Sequence, residues 1–138
     1  MMKKAMICML ALLAVGAAAA QGTLSVEVTG IEQAEGHIMV AVYGQHQEFL
    51  EEDFVLSYKA KVGLEAEQVV ELELNFGRYA VAIYQDLDGD AELDTNFIGI
   101  PKEPYGFSCN CMGVMGPPDF EKASFDFSKD GQQITISL

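Results

Sequence analysis

The sequence predicts an all-β fold, a two-sheet antiparallel sandwich of seven or so short strands with one short helix. Three observations lead there. After residue 22, apolar residues recur at every second position over short segments, the period of a strand with one buried face. Those segments are rich in Val, Ile, Phe and Tyr, which suit a pleated sheet better than a helix. Turn residues separate the segments at short intervals, the pattern of a sandwich rather than of alternating strands and helices.

The first segment places Leu24, Val26 and Val28 on one face and Ser25, Glu27 and Thr29 on the other. Ile38, Val40 and Val42 repeat this. Their alternates Met39, Ala41 and Tyr43 are apolar too, which predicts a central strand covered on both sides. Gln47 to Asp53, with Phe49 and Leu50 amid acids, reads as a helical turn or two. Phe54, Leu56 and Tyr58 resume the alternation, followed by Val70, Leu72 and Leu74 with Glu71 and Glu73 outward. Asn75-Phe76-Gly77-Arg78 supplies a tight turn into Tyr79, Val81 and Ile83. Phe125 and Phe127, then Ile134, Ile136 and Leu138, give two last strands around a Lys129-Asp130-Gly131 turn.

Residues 1–20 read as a cleavable signal peptide. Lys3 and Lys4 precede an apolar run from Ala5 to Val15, and Ala17, Ala18, Ala19 and Ala20 follow. The run is shorter than the roughly 20 residues that cross a bilayer. No later segment approaches that length, so no membrane span is expected. Cleavage near Ala20 leaves residues 21–138, 118 of the 138, as a single β-sandwich domain in the periplasm or outside the cell. Loss of Lys3 and Lys4 takes the formal net charge from −13 to −15. A surface this acidic repels nucleic-acid phosphates, so no nucleic-acid partner is expected. It suits metal ions, cationic partners or plain solubility.

The rhythm breaks between residues 85 and 121, which hold all of the Pro, most of the Asp and Cys, and several Gly. Segments of that length without strands of their own are usually functional or specially stabilised. Asp86, Asp88, Asp90, Glu92 and Asp94 set five carboxylates at every second position. Such a run is ordinarily a solvated turn. Its hard oxygen donors also suit calcium. An EF-hand is excluded: counted from Asp86, Gly89 stands fourth rather than sixth and Phe97 twelfth instead of Glu.

Cys109 and Cys111 are the cysteines left once Cys8 departs with the signal. An oxidising compartment favours a local disulfide between them. The bridge requires the chain to bend, since Cα atoms two apart in an extended strand lie about 7 Å from each other. Free or intermolecular thiols are a second reading. A third is copper(I) on the soft sulfur set of Cys109, Cys111, Met112 and Met115. Between the acids and the sulfurs, Phe97, Ile98, Ile100, Tyr105 and Phe107 alternate with Gly and Pro. That pattern reads as a rigid plug over one end of the sandwich, or as a binding surface of Phe97, Ile100, Tyr105 and Phe107 for a protein or small ligand.

Catalytic signatures are few. His37 and His46, the two histidines, have no nucleophile beside them in sequence and read as surface residues. Ser108 in Gly-Phe-Ser-Cys-Asn is not a nucleophile elbow, and no phosphate-binding glycine motif appears. No catalytic residue is assigned and the chain is read as a non-enzyme. A hydrolase built on paired carboxylates is the weakest of the three readings.

Several motifs carry a resemblance. Gly77-Arg78-Tyr79-Ala80-Val81-Ala82, Asp86-Leu87-Asp88-Gly89-Asp90 and Leu93 to Glu103 with its Gly-Ile-Pro-Lys-Glu ending resemble the DUF2141 family of bacterial exported proteins. Tyr105-Gly106-Phe107-Ser108 and Gly116-Pro117-Pro118-Asp119-Phe120 extend the likeness. The resemblance implies a transthyretin-like, or prealbumin-like, sandwich. It implies no activity and no catalytic residues. Cys109-Asn110-Cys111-Met112 departs from the family pattern, in which Asn-type residues usually follow the Gly-Phe-Ser. The expectation is therefore an exported binding or structural module, with a calcium- or copper-binding protein as the alternative.

Overall fold

In a computed structural model that describes residues 20–93, 95–111 and 116–138, two facing sheets are formed. The strands are β1 (Gln21–Thr29), β2 (His37–Gly44), β3 (Leu56–Lys61), β4 (Gln68–Asn75), β5 (Gly77–Asp86), β6 (Tyr105–Phe107), β7 (Phe125–Phe127) and β8 (Gln133–Ser137). One sheet runs β4-β1-β8. The other runs β3-β2-β5-β6, with β7 also pairing β5. Every pairing is antiparallel except β1 with β8.

Alternation makes the core. Leu24, Val26 and Val28 of β1, Val70, Leu72 and Leu74 of β4, and Ile136 of β8 point into the interior. Ile38, Val40 and Val42 of β2 and Val81 and Ile83 of β5 meet them from the other sheet. Burying each such side chain contributes about 1.5–3 kcal/mol before the entropy of ordering the chain is subtracted. Phe127 closes one end, its ring 5.1 Å from that of Phe76.

The turns carry the chain between sheets. Asn75 ends β4 in one sheet and Gly77 begins β5 in the other, so the turn at Phe76 is a crossing, not a hairpin within a sheet. The Lys129-Asp130-Gly131 turn likewise passes from β7 in one sheet to β8 in the other. Gly131 takes φ +79°, and Asp130 accepts a hydrogen bond from the Thr23 backbone N–H at 2.8 Å.

Three local expectations change. Residues 47–53 form turns instead of a helix, because Leu50 takes a left-handed φ of +70°. The helix found among the described residues is α1 (Phe120–Ala123), capped by Asp119 accepting from the Lys122 N–H. Phe49 still packs: it meets Tyr43 at 5.2 Å, Phe107 at 6.3 Å and Phe120 at 6.2 Å between ring centroids. It thereby covers the outer face of β2 that the apolar alternates Ala41 and Tyr43 presaged. Phe54 lies before β3 and is exposed. Within the long 85–121 stretch a further strand appears, β6, laid against β5.

Candidate functional site

The acidic segment starts from the sandwich itself. β5 runs through Asp86, three residues beyond the last apolar residue of its alternation, Ile83. Asp86 sits opposite His37 of β2 and is fully buried. Its two carboxylate oxygens accept backbone N–H groups from Gly89 at 3.1 Å and Ala91 at 2.8 Å. Asp88 accepts from the Asp90 N–H at 3.2 Å, and Asp90 from the Glu92 N–H at 2.9 Å. These short-range bonds curl the chain, with Gly89 at φ +77° and Ala91 at φ +59°. For Ala91 the left-handed conformation costs roughly 1–2 kcal/mol.

The returning chain adds a residue from far along the sequence. β6 pairs with β5 through Ile83↔Gly106 and Tyr84↔Tyr105, and the Gln85 N–H donates to the Pro104 carbonyl at 2.8 Å. That ladder sets Glu103 beside the start of the acidic loop. Glu103 is buried, and its Oε2 accepts the Leu87 N–H at 2.7 Å. One carboxylate oxygen from each of Asp86, Asp88, Asp90 and Glu103 then lies within 4.8 Å of all the others.

That spacing matches a hard cation. Oxygens on opposite sides of a calcium ion stand about 4.8 Å apart, twice a metal–oxygen distance near 2.4 Å. An all-carboxylate donor set suits calcium and not a soft metal. The field of these groups reaches Tyr84, whose phenol is pushed up to about 12. Burial is the largest cause, followed by the negative charges of Asp86, Glu103, Asp90 and Glu92.

Of the five acids expected to act together, Asp86, Asp88 and Asp90 converge. Glu92 does not join them, and Asp94 lies outside the described residues. Glu103 was not among the expected ligands. Its partners stand 13 to 17 residues earlier, so no local spacing reveals it, and only the β5–β6 pairing brings it in.

The joint with the sandwich is tight. Gly36 takes φ +73°, and a Cβ there would collide with the Asp86 carbonyl oxygen. Gln85, buried beside it, donates to the carbonyls of Gln33 at 2.7 Å and Glu35 at 2.9 Å. His37 is half-buried instead of lying on the surface, with its Nδ1 unpartnered among the described residues; His46 is exposed.

The sulfur pair occupies another part of the same stretch. Cys109 and Cys111 are joined through their sulfurs, with Cα atoms 5.1 Å apart. The bend that the bridge requires falls on Asn110, at φ +50°. The Asn110 side chain clasps β8: its Nδ2 donates to the Thr135 carbonyl at 2.7 Å and its Oδ1 accepts the Ser137 N–H at 2.9 Å. Ser108 adds a second anchor, its hydroxyl accepting the Val81 N–H at 3.0 Å. With the sulfurs bonded to each other, neither is a thiolate donor for copper. Met112 and Met115 lie outside the described residues.

The apolar candidates divide. Phe97 is 100% exposed, and Ile98 and Ile100 are exposed beside it. Asn96 holds this tip together, its Oδ1 accepting the N–H groups of Ile98 and Ile100 at 3.0 Å each. Tyr105 and Phe107 instead belong to β6, where Phe107 is buried and Tyr105 half-buried. Phe97 and Ile100 thus differ in burial from Tyr105 and Phe107, and the exposed 97–100 tip does not plug the sandwich.

Among the described residues no helix is long and apolar enough to cross a membrane. No curated protein and no solved structure matches the chain. A family described as an uncharacterized protein conserved in bacteria, DUF2141, matches residues 26–135. That span runs from within β1 to within β8 and takes in the acidic loop, Glu103 and the Cys109–Cys111 turn, and the chain belongs to the DUF2141 family.

Proposed function

We propose that this is an exported β-sandwich binding module whose segment from Asp86 to Glu103 is organised by a bound calcium ion. The observation that carries the reading is the convergence of four carboxylates from two separate segments, two of them buried. Charged oxygens this close repel one another, and burial adds the cost of lost hydration. A divalent cation relieves both at once. Backbone N–H groups hold the carboxylates of Asp86 and Glu103 in place within the segment.

Export rests on the charged, apolar and small-residue stretches of residues 1–20, which lie outside the described residues apart from Ala20. The Cys109–Cys111 bond fits an oxidising periplasm or extracellular space. A hydrolase finds less support. Among the described residues, a cleft lined by Tyr58, Ala60 and Gln68 to Glu71 and another at Tyr105 to Phe107 and Asn110 each lack a pair of carboxylates.

Calorimetric titration of chelator-treated protein with calcium tests the proposal. One ion per chain is expected, with a rise in melting temperature. Calcium at a hundred times its Kd should stabilise the fold by about 2.7 kcal/mol. Glu103→Gln should weaken binding by roughly tenfold or more, as expected for a carboxylate that touches the ion. A linear motif confined to residues 86–94 would be indifferent to that change. No heat and no rise in melting temperature would sink the reading.

A further inference from the structure

The two edge strands on one side of the sandwich carry opposite charge. β3 ends the larger sheet and pairs with β2 alone, while β4 ends the smaller sheet and pairs with β1 alone. The two follow each other in sequence through residues 62–67 and lie at the same side of the molecule. Gln68 ties them there, donating to the Lys61 carbonyl at 2.9 Å and accepting the Gly63 N–H at 3.1 Å. Between them opens a cleft of about 550 Å³ lined by Tyr58, Ala60, Gln68, Val69, Val70 and Glu71. Tyr58 and Val69 are about half exposed. At the other side of the sandwich, β6 lies against β8: a Cβ on Gly106 would meet the Ser137 carbonyl oxygen at 2.6 Å.

Charge is distributed unevenly along this open side. After Ala20 the chain has six basic residues, and two of them, Lys59 and Lys61, stand on the outer face of β3 with no acid in that strand. Neither makes an ion pair among the described residues; the pair found there is Arg78 with Glu121. The outer face of β4 carries Glu71 and Glu73 at the same spacing of two.

We propose that a second copy of this chain docks on this side, β3 of each copy pairing with β4 of the other. A two-fold axis along the cleft, parallel to the strands, exchanges the two sheets. It therefore puts a β3 edge beside a β4 edge twice, once in each layer. Lys59 and Lys61 of one copy then face Glu71 and Glu73 of the other on the outer surface. Tyr58, about half exposed on the inner face of β3, is covered at the joint. The competing arrangement, β3 against β3, sets lysine against lysine and glutamate against glutamate, and like charges directly opposite are destabilising. Lysines on an edge strand ordinarily discourage strand addition; here they discourage the wrong partner and match the right one.

Sedimentation equilibrium of the purified protein at roughly 100 µM, which populates a Kd in the micromolar range, tests this. A two-copy mass is expected. Lys59→Glu with Lys61→Glu, and separately Glu71→Lys with Glu73→Lys, should each raise the dimer Kd by roughly tenfold or more, because each variant faces its own sign. Mixing the two variants should restore a dimer containing one copy of each. Glu73 accepts a hydrogen bond from the Thr23 hydroxyl, so Glu71→Lys alone serves if the double variant melts early. A single-copy mass for the parent protein, or a dimer whose Kd ignores both reversals, overturns the proposal.

Discussion

The inter-sheet core is held by apolar side chains that need nothing outside the chain. The segment from Asp86 to Glu103 is held by carboxylates accepting backbone N–H groups, and its charge accumulates where the core has none. The difference separates two kinds of stability. Removing apolar surface from water stabilises the sandwich whatever ions are present. The loop's stability depends on what neutralises it, so it should respond to calcium and salt while the sandwich does not.

The largest effect belongs to the sandwich. Phe127 is 1% exposed and packs edge-on against Phe76 where the two sheets close. Phe127→Ala should cost about 3–5 kcal/mol in urea unfolding, the usual range for truncating a buried phenylalanine. The loss should be the same in calcium and in chelator. A calcium-dependent loss would show that the two regions unfold as one unit and would break the contrast.

An intermediate effect tests a second turn, which contains neither core residues nor the converging carboxylates. Asn110 holds the Cys109–Cys111 turn to β8 through two side-chain hydrogen bonds and occupies a left-handed conformation. Asn110→Ala removes both bonds and adds backbone strain, so a loss of about 1–3 kcal/mol is expected. Asn110→Gly removes the bonds but relieves the strain, and should cost less. Equal losses in the two variants would place the whole effect in the hydrogen bonds.

The same contrast explains which parts were legible in sequence. Strict alternation announced the strands because a half-buried strand must repeat at period two, and Leu24 to Val28 or Val70 to Leu74 have no other reading. β6 escaped because three residues with Gly106 at their centre have no alternation to show, and its partner on β5 is 21 or more residues away. Glu103 escaped with it. The acids at 86, 88 and 90 were visible as a local run, but whether they point together is a property of Gly89, Ala91 and the β5–β6 ladder. At 47–53 the apolar and acidic residues matched a helix, and the left-handed Leu50 and the pull of Phe49 into the Tyr43–Phe107–Phe120 cluster overrode it. The charge match between β3 and β4 was in the sequence as Lys59, Lys61, Glu71 and Glu73. It acquired meaning only once both strands proved to be edges on one side.

The smallest effect compares two tyrosines on one strand. Tyr79 and Tyr84 both belong to β5, and burial raises both phenols above their ordinary value. For Tyr79 burial is the whole cause. Tyr84, at about 12, also feels Asp86, Glu103, Asp90 and Glu92. A phenol whose folded pKa is raised keeps its proton longer in the folded state than in the unfolded one. Its contribution to stability is therefore fully present below pH 10 and is lost as pH rises from 10 towards 12. Added salt screens the carboxylates but not burial, so it should lower the ionisation midpoint of Tyr84 and leave that of Tyr79 in place. Ultraviolet absorbance titration of the chelator-treated parent protein, Tyr84→Phe and Tyr79→Phe at low and high salt separates the two. If both midpoints shift equally, the acids act on the whole sheet and the boundary between sandwich and loop lies elsewhere than at Asp86.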